Sequence, residues 1–176
     1  MHKYILQDSF REFCNKNSFE NNNQQNEIVY LLDKFLNSKK TFLGSFFKKR
    51  AKLCFYLYGN IGVGKTMILN FIYDQLKIPK LRLHFNEFMI SFHDFRHDKD
   101  DDNSIRSFVK NLKKKYELIY LDEFQVTNIV DAMILGKLFE IIFSENIKII
   151  ITSNTKINDL YLDGLQRDQF LPFISI

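Results

Sequence analysis

The feature that most constrains the fold is a glycine-rich octapeptide in the first half of the chain. It reads Gly59-Asn60-Ile61-Gly62-Val63-Gly64-Lys65-Thr66 and has the spacing G-x-x-x-x-G-K-[ST] of a phosphate-binding loop. An apolar run over residues 53–58 precedes it and predicts a buried strand. The residues that follow have helical spacing, with one apolar face made of Ile68, Leu69, Ile72, Tyr73 and Leu76. A strand, a glycine-rich turn and a helix in this order predict a P-loop that binds a nucleotide.

The residue types in this loop suit a phosphate ligand. Glycines let the backbone curl so that successive N–H groups point at an anion, and the helix that follows adds the positive end of its dipole. We expect Lys65 to reach the β- and γ-phosphates and the hydroxyl of Thr66 to ligate Mg²⁺. The whole octapeptide is therefore the candidate nucleotide-binding segment.

A second chemical signal is a pair of acids after the apolar run of residues 118–121. Asp122 and Glu123 follow this predicted buried strand, and ligand sites of open α/β sheets lie at such carboxyl ends. Without the P-loop, the pair would be equally typical of a surface turn. One strand downstream of a P-loop, Asp122 is expected beside the Mg²⁺ held by Thr66, and Glu123 is expected to orient and deprotonate a water.

The apolar runs predict an α/β fold, a three-layer P-loop NTPase sandwich built on a parallel sheet. Four parallel strands are expected at residues 53–58, 81–85, 118–121 and 147–152, with helices on both faces. Residues 1–26 are polar and Asn-rich, which predicts a loop, and a helix with Ile28, Leu31, Leu32, Phe35 and Leu36 on one face follows. We therefore divide the chain into a helical lead-in, residues 1–50, and a P-loop core, residues 51–176.

The composition bounds the compartment and the partners. Two cysteines far apart, Cys14 and Cys54, fit neither a disulfide framework nor a zinc site, which favours a reducing compartment and predicts a cytoplasmic protein. No apolar run approaches the roughly 20 residues of a membrane span. The net charge of +4 leaves contact with nucleic acid or a peripheral membrane surface open, but no aromatic-basic stacking pattern argues for nucleic acid.

Four blocks of the sequence resemble one family, the AAA+-type ATPases of the bacterial cell-division protein ZapE and its mitochondrial relatives. The blocks span most of residues 53–174 and lie at residues 58–67, 82–93, 121–135 and 152–174. The first is common to many P-loop families. The runs Asp122-Glu123-Phe124-Gln125-Val126-Thr127 and Gly164-Leu165-Gln166-Arg167 are far more specific. Asn86, Asn128 and the run Thr155-Lys156-Ile157 depart modestly from the family pattern.

The resemblance implies an ATPase that uses ATP and Mg²⁺ and drives a conformational change in a partner, in cell division or protein quality control. It implies that Asn154 is a sensor on the γ-phosphate side and that Arg167 is an arginine finger for a neighbouring subunit. A complete member would then act as a homo-oligomer on a protein client. A P-loop kinase is a rival class, but the Asp122–Glu123 pair speaks against it, because a kinase must keep water out.

Members of this family continue past the block at residues 170–174, so the resemblance also implies a C-terminally truncated chain. We expect an AAA+-like sheet that lacks its last strand and lid, with residues 53–58 as an exposed edge. The apolar run over residues 170–176 is expected to be uncovered. Such a chain would bind ATP weakly, hydrolyse it poorly and self-associate. The alternative function is a truncated, non-catalytic nucleotide-binding module.

Overall fold

The computed structural model describes residues 5–20, 22–38, 52–97 and 103–175. The chain divides into two compact units that interleave in sequence. One consists of residues 1–55 and 64–77, and the other of residues 56–63 and 78–176. The predicted division between residues 50 and 51 lies outside the described residues.

Among the described residues, the first unit contains three helices, α1 (Ile5–Lys16), α2 (Asn23–Leu36) and α3 (Lys65–Gln75). The prediction of a loop over residues 1–26 is wrong, because α1 and the start of α2 occupy most of it. Phe10 and Cys14 are one helical turn apart and fully buried, and the Phe10 ring packs edge-on against Phe71 at 5.1 Å. The side chain of Asn22 accepts a hydrogen bond from the Gln24 backbone N–H, so the Asn-rich run caps a helix.

The predicted apolar face of α2 is also displaced. Val29, Leu32 and Phe35 are buried, whereas Leu31 is exposed. The buried positions recur every three residues, which follows one side of the helix, and Leu31 falls outside that stripe.

The second unit is built on a parallel sheet. Its strands are β1 (Cys54–Tyr58, of which residues 56–58 belong to this unit), β2 (Lys80–His84), β3 (Leu118–Asp122) and β4 (Lys148–Ser153), in the order β1-β4-β3-β2. β3 pairs in parallel with both β2 and β4, and Leu121 faces Leu83 on one side and Ile151 on the other. All four predicted strands are confirmed to within one residue at each end, and β1 is an outer strand of the described sheet, as expected.

The described part of the second unit also contains four α-helices, α4 (Phe85–His97), α5 (Asn103–Lys115), α6 (Ile129–Ser144) and α7 (Arg167–Ser175), and a 3-10 turn at Ile157–Asp159. The expectation that the run after residue 170 is uncovered is wrong. Phe170 and Phe173 are buried, and the Phe173 ring stacks on Phe124 at 5.6 Å and lies edge-on to Phe139 at 5.0 Å. The aromatic face of α7 therefore packs into the core of this unit.

Both cysteines are free thiols, and burial raises the pKa of Cys54 to about 12. This agrees with the prediction that neither is part of a disulfide. Within the described ranges, no helix combines the length and apolar character needed to cross a membrane.

Candidate functional site

The glycine-rich loop uses glycine where the backbone requires it. Gly62 and Gly64 have φ values of +84° and +86°, in the left-handed region that disfavours residues with a Cβ. At Gly64 a Cβ would also lie 2.7 Å from Nε2 of Gln25. Helix α3 begins directly after Gly64, and no side chain caps its N-terminus. A curled loop that leads into an uncapped helix start has the local form of an anion-binding turn.

The two compact units share the residues of this predicted segment. Gly64, Lys65 and Thr66 belong to the first unit, where Lys65 and Thr66 form the first turn of α3. Residues 59–63 belong to the second unit, together with Asp122, Glu123, Asn154 and Arg167. Within that second unit, the N–H of Gly59 donates to the carbonyl of Ser153 at 3.2 Å, so the loop begins beside the tip of β4.

Asp122 is a buried carboxylate at the end of β3 with three donors around it. Nη2 of Arg82 lies 3.1 Å from its Oδ2, the hydroxyl of Thr152 donates to its Oδ1, and the backbone N–H of Glu123 lies 3.1 Å from the same Oδ1. Burial by itself would raise the pKa of Asp122, but the hydrogen bonds from Thr152 and Arg82 outweigh it and lower that pKa. Asp122 is therefore a carboxylate at neutral pH.

Glu123 differs from its neighbour in both exposure and backbone conformation. Its side chain is 76% exposed, and its Oε2 lies 3.7 Å from Nδ1 of His84. Its φ of +54° is in the left-handed region although it is not a glycine. The pair at the end of β3 thus offers one buried, hydrogen-bonded carboxylate and one that points into solvent.

The tip of β4 holds the turn that follows β3. The N–H of Phe124 donates to the carbonyl of Thr152 at 2.8 Å, and the hydroxyl of Ser153 donates to the carbonyl of Phe124 at 2.8 Å. Asn154, the predicted sensor, is exposed and directly follows Thr152 and Ser153, the two residues that make these hydrogen bonds. We did not predict roles for Thr152, Ser153, Arg82 or His84. Thr152, Ser153 and His84 lie at or next to the ends of the strands that flank β3, and Arg82 lies two residues before the end of β2. This placement beside the acid pair is the signal that could have found them.

Arg167 is the first residue of α7, and it is held within its own chain. Its Nη2 donates to the carbonyl of Asn158 at 2.8 Å, in the 3-10 turn Ile157–Asp159. Its Nε is buried, and none of the described residues accepts a hydrogen bond from it. The role of Arg167 toward a neighbouring subunit stays a prediction.

Two predicted ligands, one in each compact unit, have the donor chemistry that a nucleotide-bound Mg²⁺ takes. No group of three or more His, Cys, Asp or Glu side chains able to hold a metal occurs in the described part of the chain. Mg²⁺ at nucleotides does not need one, since one or two protein oxygens and the phosphates suffice. The ionised carboxylate of Asp122 and the hydroxyl of Thr66 are hard oxygen ligands of the kind Mg²⁺ prefers.

Comparison with known sequences identifies relatives. The family model described as AFG1-like ATPase matches residues 2–176. Lactation elevated protein 1 homolog B of Danio rerio is 38% identical over 135 residues, which is 69% of this chain and 27% of that protein. Cell division protein ZapE of Escherichia coli K12 is 36% identical over 122 residues, 68% of this chain and 32% of ZapE. The chain thus matches about a third or less of the length of these relatives.

Comparison with solved structures agrees on the fold. Domain III of the Thermotoga maritima replication initiation protein DnaA superposes with a TM-score of 0.57 at 17% identity, covering 85% of this chain and 59% of that one. A Streptococcus pyogenes protein described as a primosome component gives 0.54 at 18% identity, covering 86% and 76%. At these identities the likeness concerns the fold, which is that of P-loop AAA+ ATPases. With the match of the family model to nearly every residue, it follows that this chain belongs to the AFG1-like ATPase family.

Proposed function

We propose that this chain binds ATP with Mg²⁺ and hydrolyses it, and that hydrolysis drives a conformational change in a protein partner. The observation that carries the proposal is the glycine-rich loop, in which Gly62 and Gly64 have positive φ and lead directly into the uncapped start of α3 at Lys65. Backbone N–H groups and a lysine at such a turn suit the phosphates of a nucleotide. Membership of an ATPase family supports ATP as the ligand.

The proposed chemistry is attack of a water on the γ-phosphorus, which breaks its bond to the bridging oxygen and releases ADP and inorganic phosphate. Glu123 takes a proton from that water, and its exposed carboxylate is accessible for this role. Lys65 binds the β- and γ-phosphates, and Thr66 and Asp122 would hold Mg²⁺, which when bound neutralises phosphate charge. Asn154 senses the γ-phosphate side. Arg167 acts on the nucleotide of a neighbouring subunit, so the proposed active form is a homo-oligomer.

The proposed process is cell division, and the proposed compartment is the cytoplasm. The E. coli relative is named a cell division protein, which supports the first proposal. The two free cysteines support a reducing compartment.

The competing proposal is a nucleotide-binding module without turnover. Calorimetry with ATP and a phosphate-release assay, each with Mg²⁺ and with excess chelator, separate the two proposals. Binding together with Mg²⁺-dependent release supports the ATPase, and binding without release supports the module. The same assays on a chain extended to the length of its relatives show how much turnover the added residues supply.

A further inference from the structure

The side chain of Glu123 has little to hold it in place. It is 76% exposed, and its distance of 3.7 Å from Nδ1 of His84 is longer than a hydrogen bond. No other side chain in the described ranges pairs with that carboxylate. A general base must nevertheless lie within hydrogen-bond reach of its water. The direction of this carboxylate must therefore be set by the backbone that carries it.

That backbone has an unfavourable conformation. Glu123 has a φ of +54°, a left-handed value at which the Cβ of an ordinary residue is crowded. Such a residue keeps this conformation only when surrounding contacts hold it, and residues of this kind cluster at functional sites. Contacts to the backbone of residues 122–124 are thus the ones that decide where the Glu123 carboxylate points.

Thr152 makes one contact with each residue of the turn, two of them to the backbone and one to the side chain of Asp122. Its hydroxyl donates to Oδ1 of Asp122, the same oxygen accepts from the N–H of Glu123 at 3.3 Å, and its carbonyl accepts from the N–H of Phe124 at 2.8 Å. Thr152 is buried, so water does not compete for these bonds. Its hydroxyl is used as both donor and acceptor, which an apolar side chain of the same shape cannot provide.

We propose that Thr152 is the positioning residue that aims the Glu123 carboxylate at the attacking water, through the backbone of the turn after β3. Ser153 supports it with the hydrogen bond from its hydroxyl to the carbonyl of Phe124. The inference rests on the proposed function, in which Glu123 activates that water. Thr152 itself is buried at the end of β4, so the role assigned to it is positioning and not direct contact with the nucleotide.

Two substitutions at the same site separate the hydroxyl from the shape of the side chain. Thr152→Val keeps the shape and removes the hydroxyl, whereas Thr152→Ser keeps the hydroxyl. Thr127→Val is the matched control, because it makes the same chemical change at an exposed position. All are made in the full chain and compared well below their midpoints of thermal unfolding.

The first readout is independent of catalysis: hydrogen exchange of the Glu123 amide, followed by NMR without nucleotide. The Glu123 amide has two acceptors, the hydroxyl of Thr152 at 3.3 Å and Oδ1 of Asp122 at 3.1 Å, and the same hydroxyl also holds that Oδ1. We expect Thr152→Val to speed this exchange by about tenfold or more, because it removes one acceptor and the hydrogen bond that fixes the other. Thr152→Ser and Thr127→Val should keep the parent rate within about threefold. Unchanged exchange in Thr152→Val would overturn the proposal.

The second readout is the split between kcat and KM for ATP hydrolysis. We expect Thr152→Val to lower kcat by about 10- to 100-fold while KM changes by less than about threefold, since misplacement of the base affects the transition state. Thr152→Ser should recover most of kcat. Parent kcat in Thr152→Val, or equal losses in Val and Ser, would contradict the role of the hydroxyl.

The two readouts keep the two proposals apart. If the parent chain shows no turnover, the proposed function fails, and the exchange rates still decide whether Thr152 holds the turn. If Thr152→Val does not fold, Thr152→Cys takes its place under the same criteria, because a thiol is a much weaker donor and acceptor than a hydroxyl.

Discussion

Arg82 on β2 donates a hydrogen bond to Asp122 at the end of β3, with 3.1 Å between Nη2 and Oδ2. The Arg82 side chain is 32% exposed and that of Asp122 is 8% exposed, so a half-buried cation neutralises a buried carboxylate. The guanidinium also lies over the ring of Tyr120, with Cζ 4.9 Å from the ring centre. One strand of the sheet thus supplies the counter-charge of the acid on the next.

Arg82→Gln is expected to lower the free energy of unfolding by about 1–2 kcal/mol at pH 7. This is less than the 3–5 kcal/mol of a fully buried broken pair, because water still screens part of Arg82. Urea unfolding with nucleotide absent measures the change. Arg11→Gln removes the exposed pair between Arg11 and Asp8 and should cost less than about 0.5 kcal/mol.

The difference in unfolding free energy between the parent and Arg82→Gln is expected to depend on pH. The pKa of Asp122 is lowered in the folded chain, so its contribution to stability is present above its unfolded pKa of about 3.9 and is lost as pH falls through the folded value. Without Arg82 the pKa of Asp122 rises. The stability difference between parent and Arg82→Gln should therefore be largest above about pH 5 and shrink at lower pH. A difference that grows on acidification would contradict this assignment.

Phe173→Ala is expected to destabilise the chain by about 3–5 kcal/mol, because it removes a buried ring from the cluster with Phe124 and Phe139. Leu171→Ala, on the exposed side of the same helix, should cost less than about 1 kcal/mol. Chemical unfolding of both variants checks the pair. Equal small losses would mean that α7 does not pack into the core.

Two glycine-to-alanine substitutions are expected to act in opposite directions. A Cβ on Gly164 would overlap the ring of Tyr161, so Gly164→Ala should cost about 1–3 kcal/mol. Gly136 lies inside α6, and a Cβ there would meet Phe173 N at an ordinary 3.8 Å, so Gly136→Ala should stabilise by about 0.5–1 kcal/mol. In a Tyr161→Ala background the cost of Gly164→Ala should largely vanish. A cost that persists there would place the strain elsewhere.

Local patterns predicted the parallel sheet well. The strand of residues 118–122 is a short, wholly apolar run up to its acid, and each of its residues is buried. The prediction misses helix α1 although Leu6, Phe10 and Cys14 recur with helical spacing, because the polar, Asn-rich composition of residues 1–26 favours a loop. The contacts of Phe10 and Phe13 with Phe71 join residues far apart along the chain. The burial of Phe173 likewise depends on Phe124 and Phe139, which no local pattern reveals.

In the candidate site, too, local motifs could be predicted from the sequence and contacts between distant residues could not. The residue types of the P-loop and of Asp122 and Glu123 follow a motif, so sequence predicts their chemistry. The hydrogen-bond partners of Asp122 and Glu123 could not be predicted from a motif, because Arg82 and Thr152 lie on the neighbouring strands β2 and β4, far from the acid pair along the chain. Only the hydrogen bonds in the structure show that Thr152 holds the turn from the end of β4.

Lys65→Ala is expected to weaken ATP binding by about 10- to 150-fold, the equivalent of a charge-assisted hydrogen bond of about 1.5–3 kcal/mol. Lys77→Ala is the control, since Lys77 is an exposed lysine shortly after α3. Titration calorimetry measures both affinities. Parent affinity in a folded Lys65→Ala variant would remove the basis for assigning this loop to phosphates.

The most direct test of the account compares ATP binding and phosphate release in the parent chain and in Glu123→Gln, with Glu140→Gln, an exposed glutamate on α6, as control. The amide keeps the shape of Glu123 but cannot accept the proton of the attacking water. We predict that Glu123→Gln binds Mg-ATP with the parent affinity but releases phosphate at about one hundredth of the parent rate or below it. Glu140→Gln should match the parent in both measurements. Phosphate release at the parent rate by Glu123→Gln would show that Glu123 is not the base and would contradict the proposed mechanism.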